Sequence, residues 1–158
     1  MPEVKVGIPS VIHAAMQGID PVRIGVIEAH GTGTELGDPV ELDGLNRAFA
    51  QRAAESGQTL ATGSILLSAI KPAIGHLEAA AGIAGLIKLV ICRKLGRVPA
   101  NLLGQPVNPY LNFAQGPFRP VDQTELWPQD RPLAGVSSFG FGGVNAHVVV
   151  GPAPETVI

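Results

Sequence analysis

The sequence is short of charged residues and of cysteine. Charged residues make up 15% of the chain, well below the roughly one quarter that is usual in soluble domains. The lysines and arginines do not cluster, and the formal net charge is −2, which argues against a nucleic-acid partner and against an anionic membrane surface. The single cysteine, Cys92, excludes an internal disulfide and fits a reducing compartment, so we expect a cytoplasmic protein.

Long uninterrupted apolar runs are also missing. The longest apolar stretch, residues 79–92, is interrupted by Lys88 and is too short to span a bilayer. No apolar run follows the first residues, so we expect no signal peptide. Hydrophobic side chains are nevertheless abundant, at 46% of 158 residues. We therefore expect one domain with a substantial core, and the low charge fraction predicts that it buries surface against a partner as well.

Helical and strand patterns alternate along the chain, which predicts an α/β fold. Strands are predicted from apolar, β-branched runs at 23–28, 64–70, 133–138 and 144–150, the last two as an antiparallel pair. Helices are predicted at 9–17, 38–54 and 77–95. The last helix is apolar on nearly all sides, so we expect it to be buried. Residues 98–131 predict a long loop with at most short strands near 118–121. The order of elements predicts a mixed, mostly parallel sheet with helices on both faces.

Three glycine-rich loops carry the polar residues from which we expect chemistry. The first is EAHGTGT at 28–34, which leads into GDP at 37–39. The second is KPAIGHLEAAAG at 71–82, and the third is GVSSFGFGGVNAH at 135–147. In a mostly parallel sheet, ligands bind beyond the C-terminal ends of the strands. His30 and His76, which follow two predicted strands, are therefore candidate functional residues.

The loop around His30 allows more than one interpretation. Its glycines permit a close approach of backbone to a ligand, and Thr32 and Thr34 alternate with them, so both hydroxyls can face one polar ligand chain. A phosphate-binding loop would need the Gly-Lys-Ser/Thr ending, which does not occur. A tight turn in which His30 is merely hydrogen-bonded stays open as the alternative.

His76 is predicted at the start of an apolar helix. The partial positive charge at that end keeps an imidazole neutral, and a neutral imidazole can donate an N–H to an oxyanion. Lys71, five residues upstream, adjusts the local charge. A zinc site built from both histidines with Glu28 or Asp38 is the competing idea, although no His-x-x-x-His spacing occurs. We expect His147 in the core, His13 at the surface or an interface, and Cys92 as a small buried side chain.

The three loops, in this order, resemble those of the β-ketoacyl synthases, the ketosynthases of polyketide and fatty acid synthesis, which have the thiolase fold. The EAHGTGT and GDP motifs are most similar to the ketosynthase domains of type I modular polyketide synthases. The resemblance implies a thiolase-like fold of which residues 1–151 are the C-terminal half only, followed by a polar tail at 152–158.

The resemblance also implies a reaction. Such enzymes join a cysteine-bound acyl chain to a malonyl unit on the phosphopantetheine arm of an acyl carrier protein, and decarboxylation drives the condensation. No covalently bound cofactor and no metal are expected, since the phosphopantetheine arm is a substrate carrier. By resemblance, the catalytic residues are His30, His76 and the supporting Lys71. Those that contact the acyl or pantetheine chain are Thr32, Thr34, the gating Phe141, whose backbone N–H helps to form an oxyanion hole, and its neighbour Phe139.

The sequence departs from the family in three places. The nucleophilic cysteine lies in the N-terminal half of these domains and has no counterpart here. We also expect the first strand of the C-terminal half to be missing, and Pro72-Ala73 replaces a more usual polar pair. We therefore expect an acyltransferase half that is inactive alone and that binds a complementary N-terminal half, or self-associates. The alternatives are an inactive scaffold that binds a partner or carrier protein, and a thioester hydrolase, for which no Gly-x-Ser-x-Gly motif occurs.

Overall fold

The computed structural model describes residues 7–104, 106–140 and 142–153. The helices of these residues are α1 (Ile8–Ala15), α2 (Gly37–Glu55), α3 (Lys71–Ile74) and α4 (Ala81–Leu95). The strands are β1 (Ile24–Glu28), β2 (Ile65–Ser68), β3 (Arg97–Val98), β4 (Phe118–Pro120), β5 (Glu125–Leu126), β6 (Leu133–Phe139) and β7 (Asn145–Val150). Each predicted strand and helix is present, with ends that differ by a few residues.

Five of the strands in the described ranges form one sheet, in the order β4-β2-β1-β6-β7. Strand β1 pairs in parallel with both β2 and β6, and β2 pairs in parallel with β4. Strand β7 is antiparallel to β6. This confirms the predicted mixed, mostly parallel sheet and its antiparallel pair. All five residues of β1 are buried, as expected for the central strand of a sheet that is covered on both faces.

Helices cover both faces of the sheet, as predicted. On one face, α1 and α2 bury a core centred on Ile12, Leu45 and Phe49. On the other face, α4 contributes Leu89 and Cys92 to a second core, which continues into the region after α4 with Val98, Val121 and Trp127. The loop between α4 and β6 therefore supplies core residues, and its strands β3 and β5 pair with each other in a small antiparallel ladder that the sequence analysis did not predict.

The prediction that the apolar helix begins at residue 77 is wrong. Helix α4 begins at Ala81 and is preceded by a 3-10 turn over Glu78–Ala80. Glu78 has a φ of +52°, a left-handed conformation that a right-handed helix does not accommodate. The short helix α3 lies upstream of this turn, and Gly75, with a φ of +79°, ends it. His76 thus lies on a connection between two helices.

Helix α4 is buried on one side within this chain. Ala81, Gly85, Leu89 and Cys92 face the sheet. The opposite side exposes large apolar side chains, with Ile87 at 52%, Ile91 at 50% and Leu95 at 69% of their possible surface. The sheet of this chain therefore covers one side of the apolar helix, and burial of the other side requires a partner surface. Within the described ranges, no helix combines the length and the apolar character needed to cross a bilayer.

Candidate active site

The first candidate residue, His30, lies just beyond the C-terminal end of β1 and is half-buried. A carboxylate from α2 holds its backbone: Glu41 accepts the N–H of His30 at 2.7 Å and the N–H of Gly31 at 2.9 Å. Glu41 is buried, and burial raises its pKa to about 7 although both N–H groups oppose that rise. Gly31 has a φ of +49°, and a Cβ there would lie 2.9 Å from the Cβ of Ala69, so this turn requires glycine.

The Nδ1 atom of His30 has two potential donors. Lys71 Nζ lies 3.3 Å from Nδ1 and also donates to the backbone carbonyl of His30. The backbone N–H of Phe139 donates to the same Nδ1 at 3.3 Å, and the Phe139 ring packs against the imidazole with centroids 5.4 Å apart. Since Nδ1 is an acceptor, a neutral His30 carries its hydrogen on Nε2.

The surroundings of His30 also favour the neutral imidazole. Burial lowers the pKa of His30 to about 4, and the nearby Lys71 ammonium and His76 contribute in the same direction. At neutral pH, His30 is therefore an uncharged ring with one N–H to donate. Burial also lowers the pKa of Lys71, although the carboxylates of Glu41, Glu28 and Asp38 oppose that effect.

His76 lies beside His30, but its environment differs from the predicted one. The two ring centroids are 5.6 Å apart, with the planes at 83°. Because α4 begins five residues later, His76 is not in the first turn of that helix, and it is exposed in this chain. Its Nδ1 accepts the backbone N–H of Glu78 at 3.0 Å. A local hydrogen bond, and not the helix N-terminus, therefore leaves Nε2 as the donor of the neutral ring.

Both histidines line one open pocket with Ser138, Phe139 and Val144. Two imidazoles, each with Nδ1 engaged as an acceptor, present their Nε2 atoms for donation from neighbouring positions. Such a pair can donate two hydrogen bonds to an oxygen that develops negative charge. Phe141, predicted as the gating phenylalanine, lies outside the described residues.

The threonine hydroxyls of the first loop lie on the same side, as their alternation predicts. The Oγ1 atoms of Thr32 and Thr34 are 3.2 Å apart. Thr34 Oγ1 also accepts the N–H of Gly37 at 3.1 Å, and Asp38 accepts the N–H of Gly33 at 3.1 Å. The hydroxyls are thus available to a ligand, and that of Thr34 also stabilises the turn into α2.

The carboxylates considered for a zinc site are engaged elsewhere. Glu28 accepts the N–H of Ile70 at 2.6 Å and pairs with Lys88 at 2.7 Å, and Asp38 bonds within its own loop. In the part of the chain that the structure describes, no three His, Cys, Asp or Glu side chains come together as potential metal ligands. Among the described residues, the carboxylates of that competing idea thus make other contacts and do not join the histidines.

His147 and Cys92 are buried as predicted, and His13 lies on α1, partly exposed, in contact with α2. His147 is buried on β7, with Nδ1 3.0 Å from Ser137 Oγ. Cys92 is buried in the α4 core, and burial raises the pKa of its thiol. His13 pairs with Glu55 at 2.8 Å between α1 and α2. Sequence reasoning missed the contacts of Glu41, Glu28 and Lys88, three buried or half-buried charged residues whose burial no local pattern reveals.

The mixed, mostly parallel sheet with helices on both faces, and the two histidines that line one pocket, match the α/β architecture that the resemblance implies. Residues 7–104 match the family model described as the beta-ketoacyl synthase C-terminal domain. Residues 107–158 match the ketoacyl-synthetase C-terminal extension. The chain belongs to the C-terminal domain family of the β-ketoacyl synthases.

The relatives that this chain resembles are polyketide synthases. It is 47% identical over 150 residues to polyketide synthase PksN of Bacillus subtilis, covering 89% of this chain and 3% of that protein. It is 44% identical over 148 residues to polyketide synthase ThaG of Burkholderia thailandensis, covering 89% of this chain and 2% of that protein. The chain is thus similar to a small part of each of these long proteins.

Solved ketosynthase domains show the same fold. An oxazolomycin ketosynthase domain from Streptomyces albus superposes with a TM-score of 0.82 at 38% identity, over 93% of this chain and 25% of that one. Ketosynthase twelve of the bacillaene synthase of Bacillus amyloliquefaciens gives 0.84 at 34% identity, over 98% and 27%. The chain therefore spans about a quarter of the length of these ketosynthase structures.

Proposed function

We propose that this chain is the C-terminal part of a β-ketoacyl-[acyl carrier protein] synthase of a polyketide pathway and supplies the histidine pair for decarboxylative condensation. The observation that carries the proposal is that His30 and His76 share one pocket, each with Nδ1 engaged as an acceptor. Their two Nε2–H groups are the donors that such a reaction needs. The lone buried thiol supports the expectation of a reducing, cytoplasmic compartment.

The histidine pair acts on the malonyl thioester. As its carboxylate leaves as carbon dioxide, the electron pair moves into an enolate, whose oxygen accepts hydrogen bonds from Nε2 of His30 and of His76. The enolate carbon then attacks the carbonyl of the acyl thioester held on a cysteine of the complementary N-terminal half. A carbon–carbon bond forms, the bond to that cysteine breaks, and its thiolate leaves. Lys71 holds His30 from the Nδ1 side, so that Nε2 faces the pocket.

The threonine loop binds the carrier arm in this proposal. The adjacent hydroxyls of Thr32 and Thr34 offer donors and acceptors to the amides of a phosphopantetheine chain, whose carrier protein is the substrate-bearing partner. Phe139 contributes its N–H to His30, and by resemblance Phe141 gates the acyl chain.

Co-expression with a cysteine-bearing N-terminal ketosynthase half tests the proposal. We expect no condensation by the chain alone, because Cys92 is buried and no other thiol exists to hold the acyl group. In the reconstituted enzyme, His30→Ala and His76→Ala each slow malonyl decarboxylation about 100-fold, the effect of losing one positioned oxyanion donor. Thr32→Val and Thr34→Val mainly raise the KM for the malonyl carrier protein.

The control is His13→Ala, which removes a histidine that pairs with Glu55 away from the pocket and leaves the decarboxylation rate unchanged. Turnover by the isolated chain that is lost in Cys92→Ala would overturn the proposal. So would threonine variants that slow the chemical step as much as the histidine variants do.

A second function, an inactive scaffold that binds a partner or carrier protein, is favoured by one observation. The outer face of α4 exposes Ile87, Ile91 and Leu95, which a partner can cover without any chemistry. The same co-expression separates the two functions, because a scaffold forms the complex and produces no carbon dioxide from the malonyl thioester.

A further inference from the structure

A buried ion pair lies at the C-terminal ends of β1 and β2 and is not part of the proposed chemistry. Glu28 is the last residue of β1, two residues before His30, and is 1% exposed. Lys88 reaches it from α4, with Nζ 2.7 Å from Glu28 Oε2 and 2.6 Å from Ser68 Oγ. The pair thus joins the ends of two neighbouring parallel strands to the helix that packs across them.

The second oxygen of Glu28 points toward the site. Oε1 accepts the backbone N–H of Ile70 at 2.6 Å, and Ile70 precedes Lys71 at the start of α3. Lys71 in turn contacts both the backbone carbonyl and the Nδ1 of His30. The Glu28 carboxylate, two residues before His30, therefore holds the turn at Ile70. The next residue in that turn is Lys71, which contacts His30.

The packing of α4 provides the space for this carboxylate. Gly85 lies one turn before Lys88, and a Cβ there would be 3.1 Å from Glu28 Cγ and 3.4 Å from a methyl of Val136. A side chain at this position would press on Glu28, which would have to shift by a few tenths of an ångström and so lengthen or misalign its short hydrogen bond to Ile70. Glycine at 85 and lysine at 88 together determine where the Glu28 side chain lies.

A buried ion pair is weak evidence for stability, because the desolvation of two charges offsets their attraction. We propose that Glu28, held by Lys88, is a positioning residue that fixes Ile70 and so places Lys71 Nζ against His30. Its part in catalysis rests on the proposed function, but the placement of Lys71 is a property of this chain and is measurable without any substrate.

The proposal has a direct consequence for the titration of His30. The charged or titratable groups that face the imidazole or its backbone are Lys71 from α3, His76 from the connection after it, and Glu41 from α2. If the turn loses its anchor and Lys71 moves away, a cation that opposes protonation of His30 is lost. The pKa of His30 then rises from about 4 toward its ordinary value.

Two double variants of the full chain isolate the hydrogen bond to Ile70. Glu28→Gln/Lys88→Met removes both charges but keeps an oxygen that accepts the Ile70 N–H, whereas Glu28→Met/Lys88→Met has a similar size and no acceptor. Nuclear magnetic resonance of histidine labelled with nitrogen-15 follows the titration of each imidazole. We expect His30 to titrate in Glu28→Gln/Lys88→Met as it does in the parent, and to bind a proton several-fold more tightly in Glu28→Met/Lys88→Met, because the cation is displaced while the burial remains.

Gly85→Ala provides a second route to the same displacement without a change of charge, and it should also raise the pKa of His30. Glu55→Gln is the matched control, because it removes a carboxylate that pairs with His13 between α1 and α2 and should leave the titration of His30 unchanged. His147, which is buried on β7, reports in the same spectra whether a variant is folded. If Glu28→Met/Lys88→Met unfolds, the Gly85→Ala result decides.

Equal titration of His30 in the parent, in Glu28→Met/Lys88→Met and in Gly85→Ala would overturn the proposal. The proposed function fails separately: if the reconstituted enzyme does not decarboxylate a malonyl thioester while His30 still responds to the loss of the Ile70 acceptor, the positioning of Lys71 stands and the condensation chemistry does not.

Discussion

Two histidines of this protein are kept neutral by different means. His147 is buried on β7, and burial alone lowers its pKa to about 4. His30 reaches a similar value half-buried, because the Lys71 ammonium and His76 add to the effect of burial. His147 in the core and His30 in the candidate site are thus both uncharged at neutral pH. The pKa of His30, however, also depends on the position of the Lys71 ammonium.

His147 should make the protein less stable in acid. Its folded pKa is below its unfolded value of 6.5, so the unfolded state binds the proton more tightly. Its contribution is fully present above pH 6.5 and is lost as the pH falls toward 4, by about 3 kcal/mol over that window. Urea unfolding at about pH 7 and about pH 4.5 measures it. His147→Asn keeps a partner for Ser137, and its free energy of unfolding should fall less than that of the parent between these pH values. An identical fall in both proteins would contradict the role of His147 in acid sensitivity.

At the scale of elements, the turn from β1 to α2 is held by one side chain from the helix it precedes. Glu41 accepts two consecutive N–H groups of the His30 loop, which lets glycines and threonines form an ordered turn with few apolar contacts. A carboxylate also holds the connection after β2, but it comes from a strand: Glu28 of β1 accepts the N–H of Ile70. In both connections, backbone N–H groups that have no backbone carbonyl as partner donate to a buried carboxylate.

Glu41→Ala should therefore destabilise the fold. Two N–H groups lose their acceptor, each at a cost of about 1–3 kcal/mol, so we expect a loss of about 3 kcal/mol in the free energy of unfolding. Glu41→Gln keeps one acceptor oxygen and should lose about half as much. Denaturant melts at neutral pH give both values. Glu35→Ala, on the exposed part of the same loop, is the control and should stay within about 0.5 kcal/mol of the parent; an equal loss in Glu41→Ala and Glu41→Gln would contradict the role of Glu41.

At the scale of the whole molecule, the fold leaves a face uncovered. The exposed side of α4 carries Ile83, Ile87, Val90, Ile91 and Leu95. Leaving about 400 Å² of apolar surface in water forgoes about 10 kcal/mol at ~25 cal/mol/Å², which is comparable to the stability of a typical domain. The low charge fraction of the sequence predicted a partner surface, and the exposed apolar side of α4 is a candidate for it.

We therefore expect that the chain does not persist as a well-folded monomer. Sedimentation of the purified chain should show self-association or partial unfolding, with weak hydrogen-exchange protection of residues 81–91 whenever it is monomeric. Ile87→Glu/Ile91→Glu should reduce self-association, whereas Leu126→Glu, on exposed β5, should not. A monomer at low concentration with strong protection in α4 would contradict this prediction.

The sequence by itself determined the main helices and strands and their order, but not the short elements α3, β3 and β5. Runs of β-branched residues, the spacing of glycines and the 3.6-residue periodicity are local, so they report strands, turns and helices wherever neighbouring residues decide the conformation. The placement of His30 just beyond β1, the antiparallel pair β6 and β7, and the burial of Cys92 and His147 followed from such patterns. The three loops in order also indicated the family.

Only the tertiary structure decided how the charged side chains meet. Lys88 lies sixty residues from Glu28, and no periodicity relates them; whether a lysine on an apolar helix reaches a carboxylate depends on how the helix packs on the sheet. The start of α4 was mispredicted because Glu78 adopts a left-handed conformation that its residue type does not signal. The donor atom of His76 is set by the N–H of that same residue. Local patterns report conformational preference, whereas buried polar contacts depend on which elements pack together.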